Sequence, residues 1–325
     1  MEALTKRLQQ AVTTKQIHGV SYALLTPTKT DLGYLGMQGG EQKIAIAPQM
    51  QYDLASLTKV VATTTRILQL LAKQKLSLED EIGNYVFDLA APHIKIKDLL
   101  LHTSGLPADL ANYHNLSRLE LITAIKNTMP QAKMKKSVCY SDLGFILLGW
   151  VIATIDGDLD ESIIKNVCTP LKMASTQYKP QLTLNVVPTE YQAKRGGLIR
   201  AVVHDGKAYR LGGVSGHAGL FSTLEDLTNF MHMYLQNGIF QQRQILSPEI
   251  FTLLKDQCFE TRTLGWQVWQ NQPTKLWHTG FTGPVLALDL QRKRGLICLT
   301  NRICPTRKNT EWIQTRQEIL TEFFE

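Results

Sequence analysis

The sequence lacks the marks of several protein classes. Met1 to Gln16 carries Glu2, Lys6, Arg7 and Lys15 and no apolar stretch, so the start of the chain does not read as an export signal. No apolar run reaches the ~17–25 residues that a helix needs to cross a bilayer. The longest notable one, Leu143 to Ile155, reads as a buried helix, and no membrane span is expected. The five cysteines, Cys139, Cys168, Cys258, Cys298 and Cys304, are an odd number and contain no C-x-x-C pair, which argues against a zinc ribbon or a thioredoxin-type site. Reduced thiols and a cytoplasmic location are the simplest expectation. H-E-x-x-H and G-x-x-x-x-G-K-[ST] are both absent, so neither a metal nor another cofactor is expected. Gly213-Val214-Ser215-Gly216 is one residue short of a G-x-S-x-G elbow, which disfavours an α/β-hydrolase site.

What is there is ordinary globular composition, 44% apolar and 19% charged over 325 residues, and this excludes a disordered or fibrous chain. Lys and Arg outnumber Asp and Glu by 35 to 28. The visible basic clusters, Lys133–Lys136 and Arg292–Arg294, fall in an expected loop and hairpin turn without interleaved aromatics, so no nucleic-acid partner is expected. Strand-like runs occur at Val20–Leu25 and Leu32–Met37, and again at Gly265–Trp269, Lys275–Thr279, Val285–Leu290 and Gly295–Thr300. Helical spacing marks Glu2–Thr14, Leu57–Ala72, Leu119–Asn127, Leu143–Ile155, Asp160–Val167, Thr223–Leu235 and about Thr310 to Phe324. Strands at both ends with helices between imply an α+β fold: one antiparallel sheet built from residues 1–55 and 236–325, flanked by helices, with 56–235 as a mainly helical region. A site is expected in the crevice between them.

Three short motifs carry chemistry. Ser56-Leu57-Thr58-Lys59 opens a segment apolar almost all round, and residues three apart share a helix face, so Lys59 can reach the Ser56 hydroxyl. A serine hydroxyl needs a nearby base to become a nucleophile; a shielded lysine can be that base or can hold another in place. Tyr140-Ser141-Asp142 precedes the apolar helix, and a tyrosine beside an ammonium could relay the serine proton. His278-Thr279-Gly280 ends an expected strand, where a donor can orient a substrate and glycine allows close backbone approach. Taken singly, each motif could equally be a helix cap, a packed ring or a strand end.

In order and spacing the three together resemble the serine β-lactamase-like superfamily, the group holding class C β-lactamases, D-alanyl-D-alanine carboxypeptidases and related esterases. Ile96–Pro107, Pro170-Leu171-Lys172-Met173, Val203-His204-Asp205 and Gly212–Ser222 add to the likeness, the last two resembling penicillin-binding-protein-like carboxypeptidases. The resemblance implies a β-lactamase/transpeptidase-like fold and a serine hydrolase acting on a small-molecule or peptide ester or amide. It further implies that Ser56 becomes acylated, that Lys59 and Tyr140 shuttle its proton, and that the amides of Ser56 and Phe281 form the oxyanion hole. Asp142, His278, Thr279 and Gly280 would contact the substrate. Asp142 stands where relatives more often have asparagine, which would stabilise Lys59 as an ammonium, favour Tyr140 over Lys59 as the base and disfavour a nearby anionic group. His278 replaces a more usual lysine and attracts a carboxylate less well. A muropeptide-binding protein with little turnover is the alternative. His217, His102 and His204 read as loop-bracing residues, and Cys139 as inertly buried. The oligomeric state is left open.

Overall fold

A computed structural model describes residues 2–40, 43–131 and 137–325. The expected basic cluster at Lys133–Lys136 lies outside the described residues. Helix α1 (Glu2–Thr13) leads into β1 (Gly19–Leu25) and β2 (Thr30–Gly36). Four more strands follow late in the chain: β3 (Gln267–Trp269), β4 (Gln272–Thr279), β5 (Val285–Asp289) and β6 (Arg294–Thr300). Together they form one antiparallel sheet in the order β3-β4-β5-β6-β1-β2. The seam between the early and late strands runs β1 against β6, with Val20 opposite Thr300 and Leu25 opposite Gly295.

Both faces of β1, β5 and β6 are buried, which is why these strands read as nearly unbroken apolar runs. Side chains alternate between faces with period two. Val20, Val285, Ala287, Leu296 and Cys298 point to one side, where they pack against Leu4 and Leu8 of α1 and Trp312, Leu320 and Phe324 of the C-terminal helix Glu311–Phe324. Ala23, Leu286, Leu288, Ile297 and Leu299 point the other way, toward Phe230, Met231 and Tyr234 of helix Leu224–Leu235. The hairpin arginines have a structural task. Arg294 Nη2 donates to the carbonyl of Phe323 (2.8 Å) and Arg292 Nη1 to those of Phe324 (3.2 Å) and Glu325 (2.9 Å). They satisfy carbonyls that a helix C-terminus leaves without partners, at the end where its dipole favours cations.

The expected single helix Leu57–Ala72 is three pieces: a 3₁₀ turn Ala55–Leu57, a π-helical stretch Lys59–Thr64 and an α-helix Thr65–Ala72. The wider π turn is stitched sideways: Thr63 Oγ1 donates to the Gly216 carbonyl (2.6 Å) and Thr65 Oγ1 to that of Val60 (2.9 Å). Helix Asp142–Asp156 is apolar on every side because packing surrounds it. Its Gly149 meets the chain at Gly216, where a Cβ on Gly216 would lie 2.2 Å from the Phe145 carbonyl. The stretch read as helical also holds a small three-stranded sheet, Tyr52–Asp53, Leu220–Ser222 and Gln177–Tyr178, which lays the glycine-rich run beside the Ser56 turn. None of the five cysteines is in a disulfide; Cys139 is half-buried rather than buried. No helix among the described residues is long and apolar enough to cross a membrane.

Candidate active site

The site is built around Ser56, half-buried in the 3₁₀ turn. Ala55 before it has φ +46°, a left-handed conformation that costs a non-glycine residue free energy. Anchors on every side hold it. Buried Asp53 accepts from the Ala55 amide (2.8 Å) and the His204 amide (2.6 Å), and its own carbonyl accepts from Thr282 Oγ1 (2.8 Å). Lys59 is fully buried, and all three of its ammonium donors are used: Ser56 Oγ at 3.0 Å, Asp142 Oδ1 at 2.8 Å and the His217 carbonyl at 3.2 Å. Burial alone would strip its proton, but Asp142 and Tyr140 outweigh burial and hold Lys59 above the ordinary lysine value. As an ammonium it faces Ser56 Oγ as a hydrogen-bond donor.

Tyr140 and Asp142 flank Ser141, the N-cap of the apolar helix. The Ser141 amide donates to His102 Nδ1 (3.1 Å) and its hydroxyl to the Pro107 carbonyl (2.7 Å). The Tyr140 ring sits among four groups: the His102 ring at 4.6 Å, Lys59 Nζ at 4.8 Å, the Arg262 guanidinium carbon at 5.2 Å and the His278 ring at 6.2 Å. Burial first, then the positive charge of Arg262 and Lys59, pushes both imidazoles well below the ordinary histidine value, so both are neutral.

The opposite wall is β4 and the turn after it. His278, expected to touch substrate, is 1% exposed; its Nδ1 lies 3.0 Å from the Thr279 carbonyl and its ring faces Tyr140, so it lies beneath the surface. Thr279 is half-buried and its hydroxyl has no partner among the described residues. Gly280 is the contact point between the walls: a Cβ there would lie 2.5 Å from the Leu54 carbonyl. The Phe281 amide has no acceptor among the described residues, while the Phe281 ring is stacked on His204 (5.6 Å) and flanked by Arg302 (5.0 Å) and Arg307 (5.4 Å).

Sequence reasoning missed two cations and undervalued a third group. Lys207, 2% exposed, places Nζ 2.8 Å from Asp109, 3.2 Å from Asp142 Oδ2 and 4.0 Å from Asp205. It offsets the negative charge that Asp142 was expected to turn against an anionic substrate. Arg262 is 6% exposed, and its Nε and Nη1 have no acceptor among the described residues. Neither residue sits in a motif; only folding brings them to the cleft. His217, read as a loop residue, donates from Nε2 to Asp205 Oδ1 (2.8 Å), and its Nδ1 meets Ser215 Oγ (2.8 Å), while its carbonyl receives Lys59. Asp142, Asp205 and His217 bring ligand atoms within 4.8 Å of one another, a spacing that suits a cation. Here Lys59 and Lys207 supply the positive charge. A groove of about 860 Å³, lined by residues such as Ile94, Leu101, Met129 and Phe259, contains no residue of the three chemical motifs.

The family model described as Beta-lactamase matches residues 4–320. An Escherichia coli K12 protein that carries the name D-alanyl-D-alanine carboxypeptidase as a provisional assignment is 28% identical over 328 residues, 85% of this chain and 76% of that one. Among solved structures, a class C β-lactamase from Rhodobacter sphaeroides superposes with a TM-score of 0.78 at 16% identity over the full length of both chains. EstCE1, described as a hydrolase with promiscuous acyltransferase activity, gives a TM-score of 0.77 at 21% identity over 98% of each chain. The architecture of sheet and helices is that of the β-lactamase/transpeptidase-like fold.

Proposed function

The chain belongs to the β-lactamase family, and from that premise we propose that it is a serine hydrolase that cleaves an ester or amide through an acyl-enzyme on Ser56. One observation carries the reading: Ser56 Oγ, Lys59 Nζ and Asp142 Oδ1 form an unbroken chain of contacts at 3.0 and 2.8 Å in a largely buried setting. Lys59 already donates to Ser56 and to Asp142, so the group that takes the serine proton is Tyr140. Its ring lies 4.8 Å from Lys59 Nζ, so the ammonium stands beside it as a positive charge. In this mechanism Tyr140 acts in its phenolate form beside the Lys59 ammonium: the Ser56 proton passes to the phenolate oxygen as Oγ bonds to the carbonyl carbon and the carbonyl electron pair moves onto oxygen. The amides of Ser56 and Phe281 stabilise that oxyanion. Tyr140 then gives the proton to the leaving group as its bond breaks. Water repeats the sequence on the acyl-enzyme. Thr279 and Gly280 line the substrate along β4, with His278 beneath them, and Asp142 orients Lys59.

The substrate is an ester or amide: a D-alanyl-D-alanine peptide or a β-lactam, as relatives are named for, or a short carboxylic ester. A panel of p-nitrophenyl butyrate, nitrocefin and a D-Ala-D-Ala peptide, run on wild type and Ser56→Ala, separates these. Intact-mass spectrometry after a fluorophosphonate should show one adduct in the wild type and none in Ser56→Ala. Equal rates for the two proteins on every substrate would sink the reading. Tight muropeptide binding without product would instead indicate a binding protein.

A further inference from the structure

Lys207 is a second buried ammonium behind Asp142. Buried cations are expensive unless paired, and a pair commonly takes one acid per base. Arg66 does this with Asp156 alone (2.8 Å). Lys207 instead gathers three carboxylates from three separate segments. Asp109 comes from the loop before the Tyr140 segment, Asp142 from the start of the apolar helix, and Asp205 from its own loop. The Tyr113 ring covers it at 4.7 Å.

The division of Asp142 is the telling detail. Oδ1 accepts from Lys59 and Oδ2 faces Lys207, so each oxygen has its own ammonium. A carboxylate with a single cation can turn to offer it both oxygens, and doing so would draw Lys59 Nζ toward Asp142 and away from Ser56 Oγ. With Lys207 on the far oxygen, that rotation is blocked. The groups facing Asp142 from the elements around it are Lys59, Lys207, His217 and Asp205, with Asp109 reaching it through Lys207. Burial favours the protonated acid, but Lys59, His217 and Lys207 together prevail over it and over Asp205, and the carboxyl stays below its ordinary range.

We propose that Lys207 is a positioning residue for acyl transfer: by holding Asp142 Oδ2, it keeps Oδ1 on Lys59 and Lys59 on Ser56. It touches no reacting atom and acts through Asp142. The proposal rests on the hydrolase reading above and adds a residue that no motif contains.

A double-mutant cycle tests it, because residues that act through one another give non-additive effects. Lys207→Gln and Lys207→Arg are made in the wild type and in Asp142→Asn, and kcat and KM are measured from pH 4 to 10 on whichever panel substrate the wild type turns over. Lys207→Gln should lower kcat ~10-fold in the wild type and less than about twofold in Asp142→Asn. Its acidic limb should move up by about one pH unit, since Asp142 loses an opposite charge at close range. Lys207→Arg should restore both. Equal losses in the two backgrounds, an unmoved acidic limb, or a rise in KM alone would overturn the proposal. Circular dichroism checks folding; should Lys207→Gln not fold, Lys207→Met and Lys207→Arg carry the same comparison, and a Lys207→Arg that keeps charge yet stays as impaired as Lys207→Met overturns it. Ser56→Ala in the same series keeps the two readings apart. Wild-type rates in Ser56→Ala defeat the hydrolase, whereas additive losses in a Ser56-dependent enzyme defeat only the role of Lys207.

Discussion

The two walls of the cleft hold their groups in place by opposite means. On the helical wall, Lys59, Asp142, Lys207, Asp205 and His217 fix one another through buried charge. On the strand wall, β4 is fixed by its ladder to β5 and by the bare backbone contact at Gly280, and its one ionisable motif residue, His278, is kept neutral. A group aimed by backbone needs no counter-ion and stays put as pH changes. A group aimed by ion pairs holds only while every partner keeps its charge. On the proposed mechanism, the wall that would move protons is therefore the one exposed to titration, and the wall that would supply the Phe281 amide is held by backbone.

The comparison can be broken first at Tyr140. Tyr140→Phe removes the proposed proton carrier and keeps the ring among its neighbours, so kcat should fall by about 10²–10⁴ with little change in melting temperature. An unchanged kcat would take Tyr140 out of the mechanism. Next comes the strand wall. Gly280→Ala puts a methyl where the Leu54 carbonyl already stands, and the walls must separate. Since displacement by about 1 Å can cost ~10²-fold, kcat should drop by that order while the pH profile keeps its shape.

The pH dependence of stability sharpens the contrast. His102 and His278 are neutral in the fold but would take a proton in the unfolded chain below 6.5, so the unfolded state binds more protons and stability falls as pH drops. The slope is up to about 1.4 kcal/mol per pH unit for each histidine. Asp142 works in another window: its depressed value contributes stability above 3.8 that is lost as pH falls through the folded value. Lys59, raised above 10.5, contributes below 10.5 and loses its share as pH climbs through the folded value. Melting temperatures from pH 8 to 5 should therefore decline below 6.5, and His102→Gln should flatten the decline. A flat wild-type curve would mean the imidazoles are not held neutral. The smallest effect is expected at Phe281→Ala, which leaves the amide and removes the ring clamped by His204, Arg302 and Arg307. Contacts of that kind are worth about 0.5–1 kcal/mol each, so kcat/KM should fall only a few-fold.

Legibility follows the range of the interaction. The β5 and β6 strands are readable because both faces are buried and the residues alternate toward two apolar layers. Helix Asp142–Asp156 is readable because it is apolar throughout. Strand Leu220–Ser222 is too short for its own pattern to show, and the π turn at Lys59–Thr64 leaves no periodic trace, since it depends on hydroxyl contacts with Gly216 and Val60. The spacing of Ser56 and Lys59 is local and stands in the sequence. Lys207 and Arg262 are not legible as site residues, because a lone lysine or arginine outside the chemical motifs looks like any solvated charge until the chain folds. The motif says which residues can react; the fold determines which charges surround them.

The β1–β6 seam also sets the order of events in synthesis. Val20 cannot find its partner until Thr300 has left the ribosome, so the sheet stays open while all the chain between its two halves is made. Pairings this distant along the chain pay a large loop-closure cost before they return any contact, and they slow folding. Until then β1 presents apolar side chains on both faces and an unpaired edge, the features that invite aggregation in half-made proteins. The same delay keeps Ser56 without its strand wall: it is translated well before β4, and the cleft cannot form until that strand has been made.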